Sequence, residues 1–192
     1  MYWSRHDFIT LMSIGAHVGT ITSVDYQKVS EQIHKQDFVF SNGYGFRVYP
    51  NTDECNNLKR LIESMANNIL PIKVDLVDIW AVVTNKGESV SYHSHHSNTH
   101  MQPEEYWSGV LYAESDDDSA ELVLHSFAFN RVESMTKIKP EVGKIVLFNS
   151  FIPHFTTMHQ SDKPRVAISF NLKPKNPNIT EIPDMSVYRN KQ

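Results

Sequence analysis

Gly143-Lys-Ile-Val-Leu-Phe-Asn-Ser-Phe-Ile-Pro-His154 and, eleven residues beyond that histidine, Arg165-Val-Ala-Ile-Ser-Phe-Asn171-Leu172 decide the fold of this 192-residue chain. The first stretch reads as a glycine-led hydrophobic strand whose Pro-His step leaves an imidazole at the strand end. In the second, Val166, Ile168, Phe170 and Leu172 alternate with Arg165, Ala167, Ser169 and Asn171, giving one greasy face and one small polar face that carries an arginine. A polar face inside a barrel lines a ligand cavity. An arginine there needs an anion, and its planar fork matches a carboxylate. Taken alone, Arg165 fits an ordinary ion pair at a strand edge equally well.

Working upstream, His93, His95, His96 and His100 lie within eight residues. Alternate side chains of an extended strand share a face, so His93 and His95 can point at one ion while Ser94 and His96 point away. Imidazole is the commonest neutral metal ligand, and His154 is the candidate for a third. The His-x-His pair by itself also suits a histidine-rich surface loop. Glu104 and Glu105, in Met101-Gln-Pro-Glu-Glu-Tyr-Trp107, offer a carboxylate instead of His95 or read as exposed loop acids. His96 and His100 solvate the same loop or touch substrate.

Short β-branched and aromatic runs at 76–84, 90–96, 106–113, 120–129, 144–149 and 165–172, separated by turn-forming clusters, predict a β-sandwich or barrel. Two helices precede them. The first begins near Ser23, with Tyr26, Val29 and Ile33 at helical spacing, and ends before Phe38. The second has Thr52 as N-cap, Asp53 and Glu54 in its first turn, a stripe of Leu58, Leu61, Ile62, Met65 and Ile69, and Pro71 as its stop. Residues 1–70 are thus expected to form a helical or irregular support on one outer face of a single domain spanning 1–192. Residues 174–192, with Pro174, Pro177 and Pro183, read as an extended strap, and Asp116–Asp118 as a solvated hairpin tip.

Composition removes other classes. A formal net charge of −4 without a basic run gives no electrostatic footprint for nucleic acid. Cys55 stands alone, which excludes an internal disulfide framework or a cysteine-built zinc site and suits a reducing cytoplasm. Arg5, Asp7 and His17 lie in or beside the mildly apolar residues 8–21, so neither a signal peptide nor a membrane span is expected there.

Together these motifs resemble the double-stranded β-helix oxygenases that use Fe(II) and 2-oxoglutarate. The resemblance is carried by the His93-x-His95 pair, by a strand ending in Ser108-Gly-Val-Leu-Tyr112, by Gly143-x-(hydrophobic)-Phe ahead of His154, and by Arg165 before Ser169-Phe-Asn171. It covers residues 76–173 and is closest to members that read His-x-His and end in Arg-x-x-x-Ser-Phe-Asn. It implies a mainly β, cupin-like jelly-roll barrel with two or more N-terminal helices packed on one face. It also implies Fe(II) held at the catalytic centre by His93, His95 and His154, with the distal carboxylate of 2-oxoglutarate held by Arg165 and Tyr112. The activity implied is a dioxygenase that consumes O2 and 2-oxoglutarate, releases succinate and CO2, and hydroxylates a small molecule or peptide. Two positions depart from the usual pattern: His95 replaces the carboxylate of the 2-His-1-carboxylate triad, and Ala167 replaces a frequent serine. Trp80, Trp107 and Phe148 are available as cavity walls.

Two rival readings use the same barrel. Gly87 with His93-x-His95 matches the first half of a cupin motif, which implies an isomerase, a 2-oxoglutarate-independent dioxygenase or a small-molecule binding module. Asn149 and Phe151 stand where a cupin shows Pro and Gly, and that reading gives Arg165 no task. A structural jelly roll whose histidines bind metal for stability alone would need no cavity behind the ion.

Overall fold

The computed structural model describes residues 3–11, 14–41, 44–95, 107–127 and 133–175. His96, His100, Glu104, Glu105 and most of the 174–192 strap lie outside the described residues. Among the described residues the element order is β1 (Trp3–Leu11), β2 (Ile14–Ile21), α1 (Tyr26–His34), β3 (Phe38–Ser41), β4 (Tyr44–Val48), α2 (Asp53–Ile69), β5 (Val74–Thr84), β6 (Trp107–Glu114), β7 (Leu122–Phe127), β8 (Glu133–Ile138), β9 (Lys144–Asn149), β10 (His154–Thr156) and β11 (Arg165–Pro174).

The strands form two antiparallel sheets, an eight-stranded one in the order β1-β2-β9-β6-β11-β5-β4-β3 and a three-stranded one in the order β10-β7-β8. Residues 87–95 run beside β10 as a further edge, tied by Thr156 N–H to Val90 C=O at 3.0 Å and by a paired bridge between His93 and His154. This is the double-stranded β-helix architecture.

Alternation along the central strands sends side chains to two separate cores. Val110, Tyr112, Val146, Phe148 and Ala167 meet Leu122, Leu124 and Ile138 of the smaller sheet inside the barrel. Leu111, Ala113, Ile145, Leu147, Ile168 and Phe170 face the opposite way and are covered by Val29 and Ile33 of α1 and by Leu58, Ile62 and Met65 of α2. Both helices therefore back the large sheet on its outer face and leave the inner face free to line a cavity. The caps explain their limits. Thr52 accepts from Cys55 N–H at 3.4 Å to start α2, whereas Asp25 accepts from Lys28 N–H at 3.1 Å and starts α1 a few residues later than the sequence pattern predicts. No helix among the described residues is long and apolar enough to cross a membrane.

Three expectations need correction. Residues 1–70 were expected to be helical or irregular, yet they add four strands, β1 to β4, to the two edges of the large sheet. The β1–β2 pair completes the edge beside β9, where charged and histidine residues break the apolar run that would have announced a strand. Strand β8 was not foreseen. Of the expected strand at 90–96, the described residues 90–95 form one isolated bridge, because the turn at 150–153, closed by Ile152 N–H to Asn149 C=O at 2.9 Å, stands where a partner strand leading into His154 would run.

Close packing across the sheet depends on Gly109. A Cβ there would stand 2.3 Å from Phe170 Cζ and 2.8 Å from Leu147 Cδ2, both within the outer core. Overpacking a filled core costs about 1–3 kcal/mol, so Gly109→Ala is expected to lower stability by that amount. Urea unfolding followed by circular dichroism measures it; an unchanged midpoint would show that Phe170 can move aside.

Candidate metal centre and anion site

The His93–His154 bridge sets the geometry of the centre. His93 N–H donates to His154 C=O at 3.0 Å and His154 N–H returns the bond at 2.8 Å, which places both side chains on one face of the pair. His95 lies two residues further along and shares that face, its N–H tied to Ser150 C=O at 3.1 Å. Ring centroids are 4.3 Å apart for His93 and His154, 5.0 Å for His95 and His154, and 5.3 Å for His93 and His95. One ligand atom from each of the three lies within 4.8 Å of the others.

Each ring is turned by a bond at Nδ1. His93 Nδ1 is 2.7 Å from Ser91 C=O and His154 Nδ1 is 2.9 Å from Ile152 C=O, in both cases the carbonyl two residues earlier. His95 Nδ1 is 2.6 Å from Asn171 Oδ1 and 2.8 Å from Ser108 Oγ. A carbonyl oxygen can only accept, so a hydrogen belongs on Nδ1, and in the neutral ring this leaves the lone pair on Nε2. Three neutral imidazoles presenting Nε2 form a donor set that fits a divalent transition metal.

Burial reinforces this neutrality. Removal from water, followed by the neighbouring His93 and His95, pushes the His154 imidazole down to about 3. Burial also lowers His95, against the opposing effect of its bond to Asn171.

The second half of the site lies in the same cavity, which Trp80, Val82, Val90, Phe148, Arg165 and Ser169 line together with the three histidines. Arg165 is 2% exposed, and its Nη1 donates to Thr84 Oγ1 at 3.2 Å from the paired position on β5. Its guanidinium carbon stands 5.3 Å from the ring centre of Tyr112, which is fully buried. Arg165 Nε and Tyr112 Oη are both buried and have no hydrogen-bond partner among the described residues. Burial raises the Tyr112 phenol above its ordinary range, partly countered by the guanidinium, so it remains a donor. An unpaired buried cation costs several kcal/mol, and two orphaned donors beside each other define a place for an anion.

Residues 78–171 match the family described as "Putative 2OG-Fe(II) oxygenase". Over that stretch, just under half of the chain, the sequence matches the Fe(II)- and 2-oxoglutarate-dependent oxygenases. No characterised protein matches it by sequence. Among solved structures it is similar to a prolyl-4-hydroxylase from Pseudomonas putida, with TM-score 0.58 and 15% identity over 85% of this chain and 90% of that one. It is also similar to HygX from Streptomyces hygroscopicus, solved with nickel, 2-oxoglutarate and hygromycin B, with TM-score 0.61 and 14% identity over 85% and 84%. A 2OG-Fe(II) oxygenase family oxidoreductase from Burkholderia pseudomallei gives TM-score 0.61 and 9% identity over 83% and 85%.

The structure brings His93, His95 and His154 together, and places Arg165 beside Tyr112. Trp80 and Phe148 line the cavity. Trp107 instead packs against the outer core, with its ring 5.8 Å from that of His17. Sequence reasoning missed Thr84, Ser108 and the orienting role of Asn171. Asn171 was visible on the polar face of its strand, but its partner depends on a fold that brings β11 across from residue 95.

The folded chain resists a proton at His154 that the unfolded chain accepts below about pH 6.5. Acidification from there toward about 3 should therefore destabilise the metal-free protein, by up to about 1.4 kcal/mol per pH unit from this group. Urea midpoints of metal-free wild type and His154→Gln at pH 7 and pH 5 test it. Wild type should lose more stability than the variant; equal losses would show that His154 takes up its proton without strain.

Proposed function

We propose that the protein is an Fe(II)- and 2-oxoglutarate-dependent dioxygenase acting as a hydroxylase on a small molecule or peptide. The observation that carries this reading is the pairing, in one cavity, of three convergent imidazoles with a buried arginine whose Nε has no hydrogen-bond partner among the described residues. His93, His95 and His154 are the proposed iron ligands through Nε2. Arg165 and Tyr112 are the proposed donors to the distal carboxylate of 2-oxoglutarate, with Thr84 holding the guanidinium in place.

Iron bound there supplies the activation of O2 that couples conversion of 2-oxoglutarate to succinate and CO2 with insertion of the other oxygen atom into a substrate C–H bond. The protein's own contribution is positional. The three imidazoles stay neutral, the Arg165–Tyr112 pair fixes one end of the co-substrate, and Val82, Val90, Val110, Leu122 and Phe148 exclude water around both. A cupin-type isomerase or binding module gives the buried guanidinium, held only by Thr84 among the described residues, no task, which weighs against that alternative. A cytoplasmic location suits the lone cysteine, buried on α2.

Removing one partner of a buried charge pair costs about 2–5 kcal/mol, so Arg165→Ala should weaken 2-oxoglutarate binding by roughly 30- to 4000-fold. Metal binding should survive in that variant and be lost in His154→Ala. Anaerobic titration of 2-oxoglutarate into the iron-loaded protein, followed by charge-transfer absorbance, reads the first effect, and metal analysis reads the second. No 2-oxoglutarate complex in the wild type, or equal affinity in Arg165→Ala, would overturn the reading.

A further inference from the structure

His95 is held differently from the other two candidate ligands. His93 and His154 rest on backbone carbonyls of their own strands, whereas His95 is clasped by side chains from the opposite sheet. Asn171 comes from β11, Ser108 from β6 and Ser150 from the turn after β9. Ser108 Oγ is 2.9 Å from both Asn171 Oδ1 and Ser150 Oγ. Ser108 and Ser150 are fully buried and Asn171 is 6% exposed. A polar chain buried to this degree is tolerated only when its members satisfy one another.

The direction of the chain has a chemical consequence. Ser108 donates to Asn171 Oδ1, which turns the amide so that its oxygen faces the imidazole. That oxygen requires a hydrogen on Nδ1. The reverse amide orientation would put an N–H against Nδ1, move the ring hydrogen to Nε2 and remove the lone pair that a metal needs. His95 is also the position where the superfamily ordinarily places a carboxylate, which has no tautomer to choose. A histidine there brings a choice that the rest of the site must make.

We infer that Asn171, held by Ser108 and Ser150, is a positioning residue that selects the Nε2-donating tautomer of His95 and so makes an imidazole serviceable at this ligand position. The inference rests on the proposed role of His95 as a metal ligand. Contacts of this kind typically change metal affinity by about 10- to 100-fold when removed. Asn171→Leu removes the acceptor, and Asn171→Asp keeps an oxygen facing Nδ1.

The test uses the full chain and two readouts. Competition of Co(II) against a chromophoric chelator, without 2-oxoglutarate, should show binding about 10- to 100-fold weaker in Asn171→Leu and restored to within a few-fold in Asn171→Asp. Long-range 15N–1H spectra of the metal-free wild type should show the His95 hydrogen on Nδ1, with that preference lost in Asn171→Leu. A merely structural asparagine would lower the unfolding midpoint in both variants and move neither the tautomer nor the rescue. Wild-type cobalt affinity in a folded Asn171→Leu, or an Nε2–H tautomer in the wild type, overturns the inference. If His154→Ala still binds cobalt as wild type does, the metal reading fails instead, while the spectra continue to judge the tautomer.

Discussion

The reciprocal backbone bonds between His93 and His154 are the constraint on which the rest of the centre depends. They hold two imidazoles on one face at a spacing fixed by strand pairing, independent of any bound ion. The third imidazole follows from the two-residue period of the same segment. The geometry of the centre is thus a property of the main chain, and the side-chain bonds at Nδ1 have only to turn each ring.

The two sheets divide the chemistry. The small sheet and its added edge present the imidazoles, while the large sheet supplies the guanidinium and the asparagine from β11 and the phenol from the neighbouring β6. Helices on the outer face of the large sheet make this possible. By burying Leu111, Ile168 and Phe170 behind the sheet, they let its inner face spend positions on polar groups without loss of the main core. Arg165 is the one Lys, Arg, Asp or Glu side chain among the described cavity residues, so the protein offers a dianion a positive wall inside the barrel.

Much of this was legible in the sequence. The alternation after Arg165 and the His-x-His spacing depend on the period of a strand, which local sequence records directly. The cap at Thr52 and the stop at Pro71 are equally local. What escaped were features that depend on a partner. The N-terminal strands are interrupted by His17 and other polar residues, and the pairing of β2 with β9 has no sequence marker. The run at 90–96 has strand composition, but the turn at 150–153 takes away its neighbour. Asn171 looked like one more small polar residue until the fold set its amide against His95.

The bridge between His93 and His154 also bears on how the chain folds. Its two halves are separated by residues 96–106 and the four strands β6 to β9, so the paired imidazoles exist only after distant segments have met. Such non-local closure is slow, while the unfolded chain keeps His93, His95, His96 and His100 within eight residues as a weaker, local competitor for the ion. A metal that binds all three rings favours the closed barrel by RT ln(1 + [L]/Kd), less what it gains on the unfolded histidines, and its concentration in the surroundings sets the fraction of chains that are folded.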